Sequence, residues 1–107
     1  LRVMENVINN AIESLREKEG EKRLDITIKE QKEDYIFQVK NNGPAIAAEV
    51  QEKIFQPFFS TRKGEGRGLG LYNCKRITKR YGGDIELSCS NGETAFAVIL
   101  PKKPGLP

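Results

Sequence analysis

The chain has 107 residues, with 18 basic and 15 acidic side chains, a net charge of +3 and no histidine. This length suits one domain, and the two charge signs are interspersed rather than gathered into the basic face of a nucleic-acid-binding protein. The isolated Cys74 and Cys89, with no histidine, predict neither a zinc site nor a disulfide framework, and we expect buried thiols in a reducing cytoplasm.

The first segment is predicted to be a helix from Leu1 to about Lys18. Its apolar residues recur every three or four positions, with Gly20 as a stop signal. Because Leu1 already lies inside this pattern, we expect the chain to be part of a longer protein.

Two strands and a turn are predicted next. Leu24, Ile26 and Ile28 alternate with polar residues, which indicates a half-buried strand. A second strand over Tyr35–Lys40 is expected to pair with it as a hairpin. Asn41-Asn42-Gly43-Pro44 then gives a strong turn signal.

The middle of the chain is predicted to contain a short helix over Ala47–Phe55 and a polar, glycine-rich loop over Ser60–Gly68. A second long helix follows over Leu69–Tyr81, and Gly82-Gly83 ends it.

Two further strands are predicted to close the domain. Ile85, Leu87 and Cys89 alternate along one, Asn91-Gly92 is a hairpin turn, and 94–100 forms the other. Sequential hairpins with helices indicate an α+β fold, a two-layer sandwich whose mixed, mostly antiparallel sheet has helices packed on one face. The domain covers 1–101, and 102–107 is a C-terminal tail.

Asn6 and Asn10 lie four residues apart, so both project from one face of the first helix. Asparagine carbonyls can bind Mg²⁺ when nucleotide phosphates and waters complete its shell. The alternative interpretation is a solvated polar helix face.

Two glycine-containing segments could approach a ligand with their backbones. Asn41–Ile46 directly follows a strand, and Asn41 has both an acceptor and donors for an adenine edge. Gly64–Leu71 runs straight into a helix start, where backbone amides can bind phosphate. An ordinary turn and a flexible linker are the respective alternatives.

Taken together and in this order, these segments resemble the ATP-binding domain of sensor histidine kinases, a branch of the fold shared with gyrase, Hsp90 and MutL. Asn6-xxx-Asn10-Ala11 resembles its N box, Asn41–Ile46 its G1 box, Ile54–Phe59 its F box and Gly66–Leu71 its G2 box. The opening strand that usually precedes the N-box helix in that family is absent from this chain.

The resemblance implies roles for these residues. Asn10, helped by Asn6, would hold Mg²⁺ against the ATP triphosphate, Asn41 would contact the adenine amino group, and Thr94 would lie behind the base. The loop over Ser60–Gly68 would be the ATP lid. The full set of implied ATP-binding residues is Asn6, Asn10, Asn41, Gly43, Ala45, Ile46, Arg62, Lys63, Gly66, Arg67, Gly68, Leu69, Gly70, Leu71 and Thr94.

The chain departs from the family pattern at three places. Asn41 replaces the usual aspartate, which removes a charge-assisted bond to adenine. Ala45 replaces the second G1 glycine, and Glu13-Ser14 stands where many relatives have Lys-Tyr. Arg62, Lys63 and Arg67 are the candidates to supply the missing phosphate-side charge.

The resemblance implies a protein histidine kinase catalytic domain that donates the γ-phosphate of MgATP to a histidine elsewhere. The implied partners are the dimerisation and phosphoacceptor domain of the same kinase and a response regulator. We expect a cytoplasmic, monomeric domain with no nucleic-acid partner, whether or not its parent is membrane-anchored. The alternatives are an interaction module with a degenerate nucleotide site and an anti-sigma-type serine kinase.

Overall fold

The computed structural model describes residues 2–57, 59 and 70–103 of the chain. The order of elements predicted from the sequence is confirmed. The elements are α1 (Arg2–Arg16), β1 (Leu24–Glu30), β2 (Asp34–Asn41), α2 (Ala48–Gln51), α3 (Gly70–Arg80), β3 (Asp84–Ser90) and β4 (Glu93–Pro101).

The strands form one four-stranded sheet in the order β1-β2-β4-β3, and every neighbouring pair is antiparallel. Each outer pair is a hairpin, and β2 and β4 join the two hairpins at the centre. The β3–β4 turn has positive φ at both central residues, 52° at Asn91 and 75° at Gly92. This is the backbone that the right-handed twist of a tight hairpin favours, so the predicted Asn-Gly turn is confirmed.

The core lies between the two long helices and one face of the sheet, as the predicted sandwich requires. Val3, Val7 and Ala11 of α1 are at most 1% exposed, which places a stripe of one residue every turn against the sheet. The remaining buried members of this cluster are Val39, Leu71, Cys74, Ile85, Phe96 and Val98. The helices α1 and α3 also contact each other, and α1 lies mainly over β2 while α3 lies over β3 and β4.

The predicted half-buried strand is wrong in its burial. In β1, Ile26 is 48% and Ile28 is 64% exposed, although both point to the same face as the buried Val39 and the half-buried Phe37 of β2. The reason is position in the sheet. β1 is an edge strand, and α1 packs on its neighbour β2, so the described helices leave the outer part of this face uncovered.

The predicted short helix over Ala47–Phe55 is also too long. α2 covers only Ala48–Gln51, and no side chain caps its start at Ala47. The next residues form tight turns in which the Lys53 N–H donates to the Val50 carbonyl and the Gln56 N–H donates to the Lys53 carbonyl, both at 2.9 Å. These bonds span three residues rather than the four of an α-helix.

Lys102, the first residue of the predicted tail, is bound to the sheet. Its N–H donates to the Glu33 carbonyl at 2.8 Å, and its Nζ lies 2.6 Å from the Glu30 carboxylate. None of the helices in the described part of the chain is long and apolar enough to cross a membrane.

Candidate functional site

A cavity of about 300 Å³ lies between α1 and the loop that follows β2. On the α1 side it is lined by Asn10, Ser14 and Glu17. Asn10 and Ser14 are four positions apart and share one face of α1, and Glu17 lies in the turn that follows Arg16. The apolar stripe through Val7 and Ala11 occupies the face toward the sheet. One face of α1 is therefore polar and lines the cavity, and another is apolar and packs on the sheet.

The opposite wall comes from the chain between the end of β2 and the turns after α2. It consists of Pro44, Ala45, Ile46, Ala47, Val50 and Ile54. The side chain of Gln51 fixes this loop, because its Nε2 donates to the Ile46 carbonyl at 2.8 Å. Apolar groups thus face the polar surface of α1, which suits a flat, partly polar ligand such as a base.

Asn41 lies buried at the end of β2, with 3% of its surface exposed. Its Oδ1 accepts a hydrogen bond from the Gly43 N–H at 2.8 Å, which orders the first turn of the loop. Thr94 is its partner across the β2–β4 pair and is 4% exposed. Both residues stand behind the loop rather than among the residues that line the cavity.

The side chain of Asn42 bonds to a different segment from that of Asn41. Its Oδ1 accepts from the Arg23 N–H at 2.7 Å, and its Nδ2 donates to the Glu21 carbonyl at 2.9 Å. The side chain therefore ties the loop to the chain entering β1.

Asn6 stands one turn before Asn10 on α1 and lies beside the start of α3. A Cβ placed on Gly70 would be 3.9 Å from both the Cγ and the Oδ1 of Asn6. Burial raises the pKa of the Cys74 thiol, and a hydrogen bond with the Asn6 side chain opposes that rise to a smaller extent. Asn6 is thus held between Cys74 and the N-terminus of α3.

The N-terminus of α3 is the positive end of an 11-residue helix dipole. Its first turn contains no acidic residue, and its last turn contains Lys79 and Arg80. The first N–H groups of such a helix attract anions. The row from Asn10 to Asn6 therefore leads from the cavity toward a place suited to phosphate.

The described residues bring together Asn6, Asn10, Ala45 and Ile46 around the cavity and the α3 start. Gly43 lies in the loop after β2, and Asn41 and Thr94 lie behind that loop. Leu71, 8% exposed, belongs to the core as the first buried residue of α3. Six of the predicted site residues lie outside the described residues: Arg62, Lys63, Gly66, Arg67, Gly68 and Leu69.

Sequence reasoning did not assign Glu17, Val50 and Ile54 to the site, and it noted Ser14 only as a departure from the family. A spacing argument could have found them. Ser14 follows Asn10 at a helical interval, and Glu17 continues that spacing into the turn after α1. Val50 and Ile54 are four residues apart within the helix that the sequence predicted over Ala47–Phe55, although α2 ends at Gln51.

Within the described part of the chain, no group of three or more His, Cys, Asp or Glu residues could hold a metal ion. Asn10, with a neutral amide oxygen, suits Mg²⁺ that arrives with nucleotide phosphates and waters in its shell.

An antiparallel sheet with helices on one face, and a cavity between its first helix and a strand-end loop, is the architecture of an ATP-binding α+β sandwich domain. The chain belongs to the family described as histidine kinase-, DNA gyrase B- and HSP90-like ATPases, whose model matches residues 1–104.

Two named relatives are sensor proteins. The C4-dicarboxylate transport sensor protein DctB of Rhizobium meliloti is 39% identical over 100 residues, which is 94% of this chain and 16% of that protein. The sensor protein SrrB of Staphylococcus aureus is 36% identical over 106 residues, 94% of this chain and 18% of that protein. The chain thus spans less than a fifth of the length of these two relatives.

Solved structures agree with this assignment. The catalytic domain of the histidine kinase ThkA in a nucleotide-free form is 35% identical, with a TM-score of 0.79 over 94% of this chain and 63% of that chain. ThkA in complex with the response regulator TrrA is 31% identical, with a TM-score of 0.75 over 94% of this chain and 28% of that chain. The antiparallel sheet with helices on one face is therefore the fold of histidine kinase catalytic domains.

Proposed function

We propose that the chain binds MgATP in the cavity between α1 and the β2–α2 loop and donates the γ-phosphate to a histidine on a separate phosphoacceptor domain. The observation that carries the proposal is the row of Asn10 and Asn6, which leads from the cavity to the N-terminus of α3. In this assignment the base lies against Ala45, Ile46 and Ile54, and the phosphates lie toward Gly70.

Phosphoryl transfer needs positioning and charge neutralisation more than a protein nucleophile. Asn10 and Asn6 would hold Mg²⁺, which supplies charge neutralisation at the phosphates when bound. The helix N-terminus at Gly70 would add hydrogen-bond donors without a counter-charge in its first turn. Asn41 would order the loop that contacts the base through its bond to the Gly43 N–H.

The acceptor must lie outside this chain, because the chain contains no histidine. Its named relatives are sensor proteins, and the ThkA neighbour was solved with a response regulator. We assign the phosphoacceptor domain of the same kinase and a response regulator as the partners.

Binding of MgATP measured by calorimetry tests the site. Asn10→Ala should weaken MgATP binding by about tenfold, because loss of a charge-assisted contact of about 1.5 kcal/mol corresponds to that factor. It should also abolish the difference between ATP with and without Mg²⁺. Asn9→Ala is the matched control: Asn9 is its exposed neighbour on the same helix and should leave binding unchanged.

Unchanged affinity and unchanged Mg²⁺ dependence in Asn10→Ala would refute the metal assignment. Absence of wild-type binding at millimolar ATP would instead favour the alternative of an interaction module whose nucleotide site has degenerated, for which Asn41 and Ala45 are the supporting departures.

Transfer itself is tested with labelled γ-phosphate. The chain alone should acquire no acid-labile phosphate, and label should appear on histidine when the phosphoacceptor domain is added. Label that is acid-stable and located on serine of an added protein would favour the serine-kinase alternative.

A further inference from the structure

Lys75, in the middle of α3, contacts three groups that belong to two other segments. Its Nζ lies 2.9 Å from Asp84 Oδ1 and donates to the Ile85 carbonyl at 3.0 Å, both at the start of β3. The same ammonium lies 4.9 Å from the centre of the Phe55 ring. Only 33% of its side chain is exposed, so the charge is partly withdrawn from water and its contact with the ring is strengthened.

The Phe55 ring stands between this cation and the core. It packs edge-on against Phe96 of β4, with ring centres 6.1 Å apart and planes at 88°. Phe96 itself is 1% exposed and belongs to the close-packed core. The ring is therefore held from both sides, by Lys75 and by Phe96.

Phe55 directly follows a residue of the cavity wall. Ile54 lines the cavity together with Val50, whereas Phe55 turns the other way, toward α3. Two consecutive hydrogen-bonded turns, from Val50 to Lys53 and from Lys53 to Gln56, contain both Ile54 and Phe55. A shift of the Phe55 ring would therefore move the wall formed by Val50 and Ile54.

We propose that Lys75 is a positioning residue for the nucleotide site, because its ammonium holds the Phe55 ring and thereby the Val50–Ile54 wall of the cavity. The inference rests on the proposed function, since it takes MgATP as the ligand of that cavity. In this proposal α3 contributes to both ends of the site. Lys75 supports the wall that contacts the base, and the N-terminus of α3 lies on the phosphate side.

Lys79 offers a matched comparison on the same helix. It lies one turn later and also contacts Asp84, with 3.5 Å between its Nζ and Oδ2. Its described contacts do not include the Phe55 ring. Lys75→Met and Lys79→Met each remove one positive charge and weaken the same ion-pair cluster. Lys75→Met also removes the cation over the Phe55 ring and the bond to the Ile85 carbonyl, and the second of these is left in place by Phe55→Leu.

Hydrogen exchange of the free chain gives the first readout. Lys75→Met should raise amide exchange over 50–56 compared with wild type, whereas Lys79→Met should not. Lys75→Arg keeps a cation that can lie over the ring and should restore the wild-type exchange. Equal exchange over 50–56 in the two methionine variants would overturn the proposal.

Calorimetric titration with MgATP gives the second readout. Lys75→Met should weaken binding by about three- to tenfold, the range that a cation–π contact of ordinary strength corresponds to. Lys79→Met and Lys75→Arg should stay within about twofold of wild type, a change too small to reflect a lost contact. Wild-type affinity in Lys75→Met would contradict the assigned role even if its thermal stability fell.

Phe55→Leu tests the same link from the ring side and keeps most of the apolar volume. It should raise exchange over 50–56 and weaken MgATP, and adding Lys75→Met to it should cause little further loss, because the two residues act through one contact. Additive losses in that pair would overturn the inference. If wild type failed to bind MgATP while Lys75→Met still raised the exchange, the proposed ligand would be wrong and the positioning of the wall would stand.

Discussion

Gly43 is closely packed between the end of β2 and the backbone of α1. A Cβ on this residue would lie 2.9 Å from Asn41 Oδ1 and 3.0 Å from the Ser14 carbonyl oxygen. The loop after β2 therefore passes directly against the backbone of α1. The sequence indicated that a glycine here permits close approach, but it could not show that the partner is Ser14, because that contact joins two segments far apart in the chain.

Gly43→Ala should accordingly destabilise the chain by about 1–3 kcal/mol, since one of the two close partners is backbone that cannot move alone. The measurement is the free energy of unfolding in urea. Ala45→Gly, two residues later at an exposed position, is the control and should cost less than about 1 kcal/mol. A loss in Gly43→Ala no larger than in the control would contradict the close packing.

For the asparagines, the sequence predicted which helix face they share but not which contacts their side chains make in the loop after β2. The helical spacing of Asn6 and Asn10 placed them on one face, which the structure bears out. No local signal in the sequence distinguished Asn41 from Asn42. The Asn41 side chain bonds to the loop after β2, whereas the Asn42 side chain bonds to the chain that enters β1. That choice depends on which strand neighbours each residue has after the sheet forms.

At the scale of elements, α3 and β3 are joined by Asp84. Burial alone would raise the pKa of its carboxyl, but the hydrogen bonds from Lys75 and the Ile85 N–H, with the charges of Lys75 and Lys79, outweigh it and hold the pKa below its ordinary value. A carboxyl with a lower pKa in the folded state stabilises the fold above its unfolded pKa of about 3.9. That stabilisation is lost as the pH falls through the folded value.

Asp84→Asn should therefore lower the free energy of unfolding at neutral pH by about 0.5–1 kcal/mol and reduce its fall in acid, because the carboxyl is partly exposed and its ion pairs are partly screened. Urea unfolding from pH 7 to pH 2 measures both effects. Lys79→Met, which removes the more distant cation, should show a smaller change of the same sign. A variant as acid-sensitive as wild type would rule out Asp84 as a source of this dependence.

Element identity was predictable because hydrophobic periodicity and turn residues are local signals. The type and order of every described helix and strand follow from them. The burial of β1 and the length of α2 did not follow. The first depends on which strands the helices cover, and the second on three-residue hydrogen bonds that replace helical ones after Gln51.

At the scale of the whole molecule, the cavity contacts α1 on one side and the chain between β2 and the α2 turns on the other. A ligand that binds only when these are assembled must stabilise the entire fold. The increase in the free energy of unfolding follows from mass action and is about 2.7 kcal/mol at a ligand concentration one hundred times its Kd.

MgATP should therefore raise the Tm of the chain in a concentration-dependent way, by several degrees at saturating nucleotide, as measured by calorimetric melting. Mg²⁺ alone should leave the Tm unchanged, because the described residues include no group of three or more His, Cys, Asp or Glu side chains that could hold a metal ion. A Tm that does not respond to MgATP would argue against the cavity as the nucleotide site.

The strand order has a consequence for how the chain reaches its native state. The β1–β2 and β3–β4 hairpins are local, but the pair that joins them brings Asn41 to Thr94 and Asp34 to Pro101. Closing that long loop costs conformational entropy before any of its bonds form, and we expect it to be the slow step of folding. Since loop-closure entropy grows only with the logarithm of length, added residues in an exposed connection between β2 and β4 cost little stability as long as α3 and β3 keep their core contacts. Such a connection could therefore change in length during evolution while the four strands stay the same.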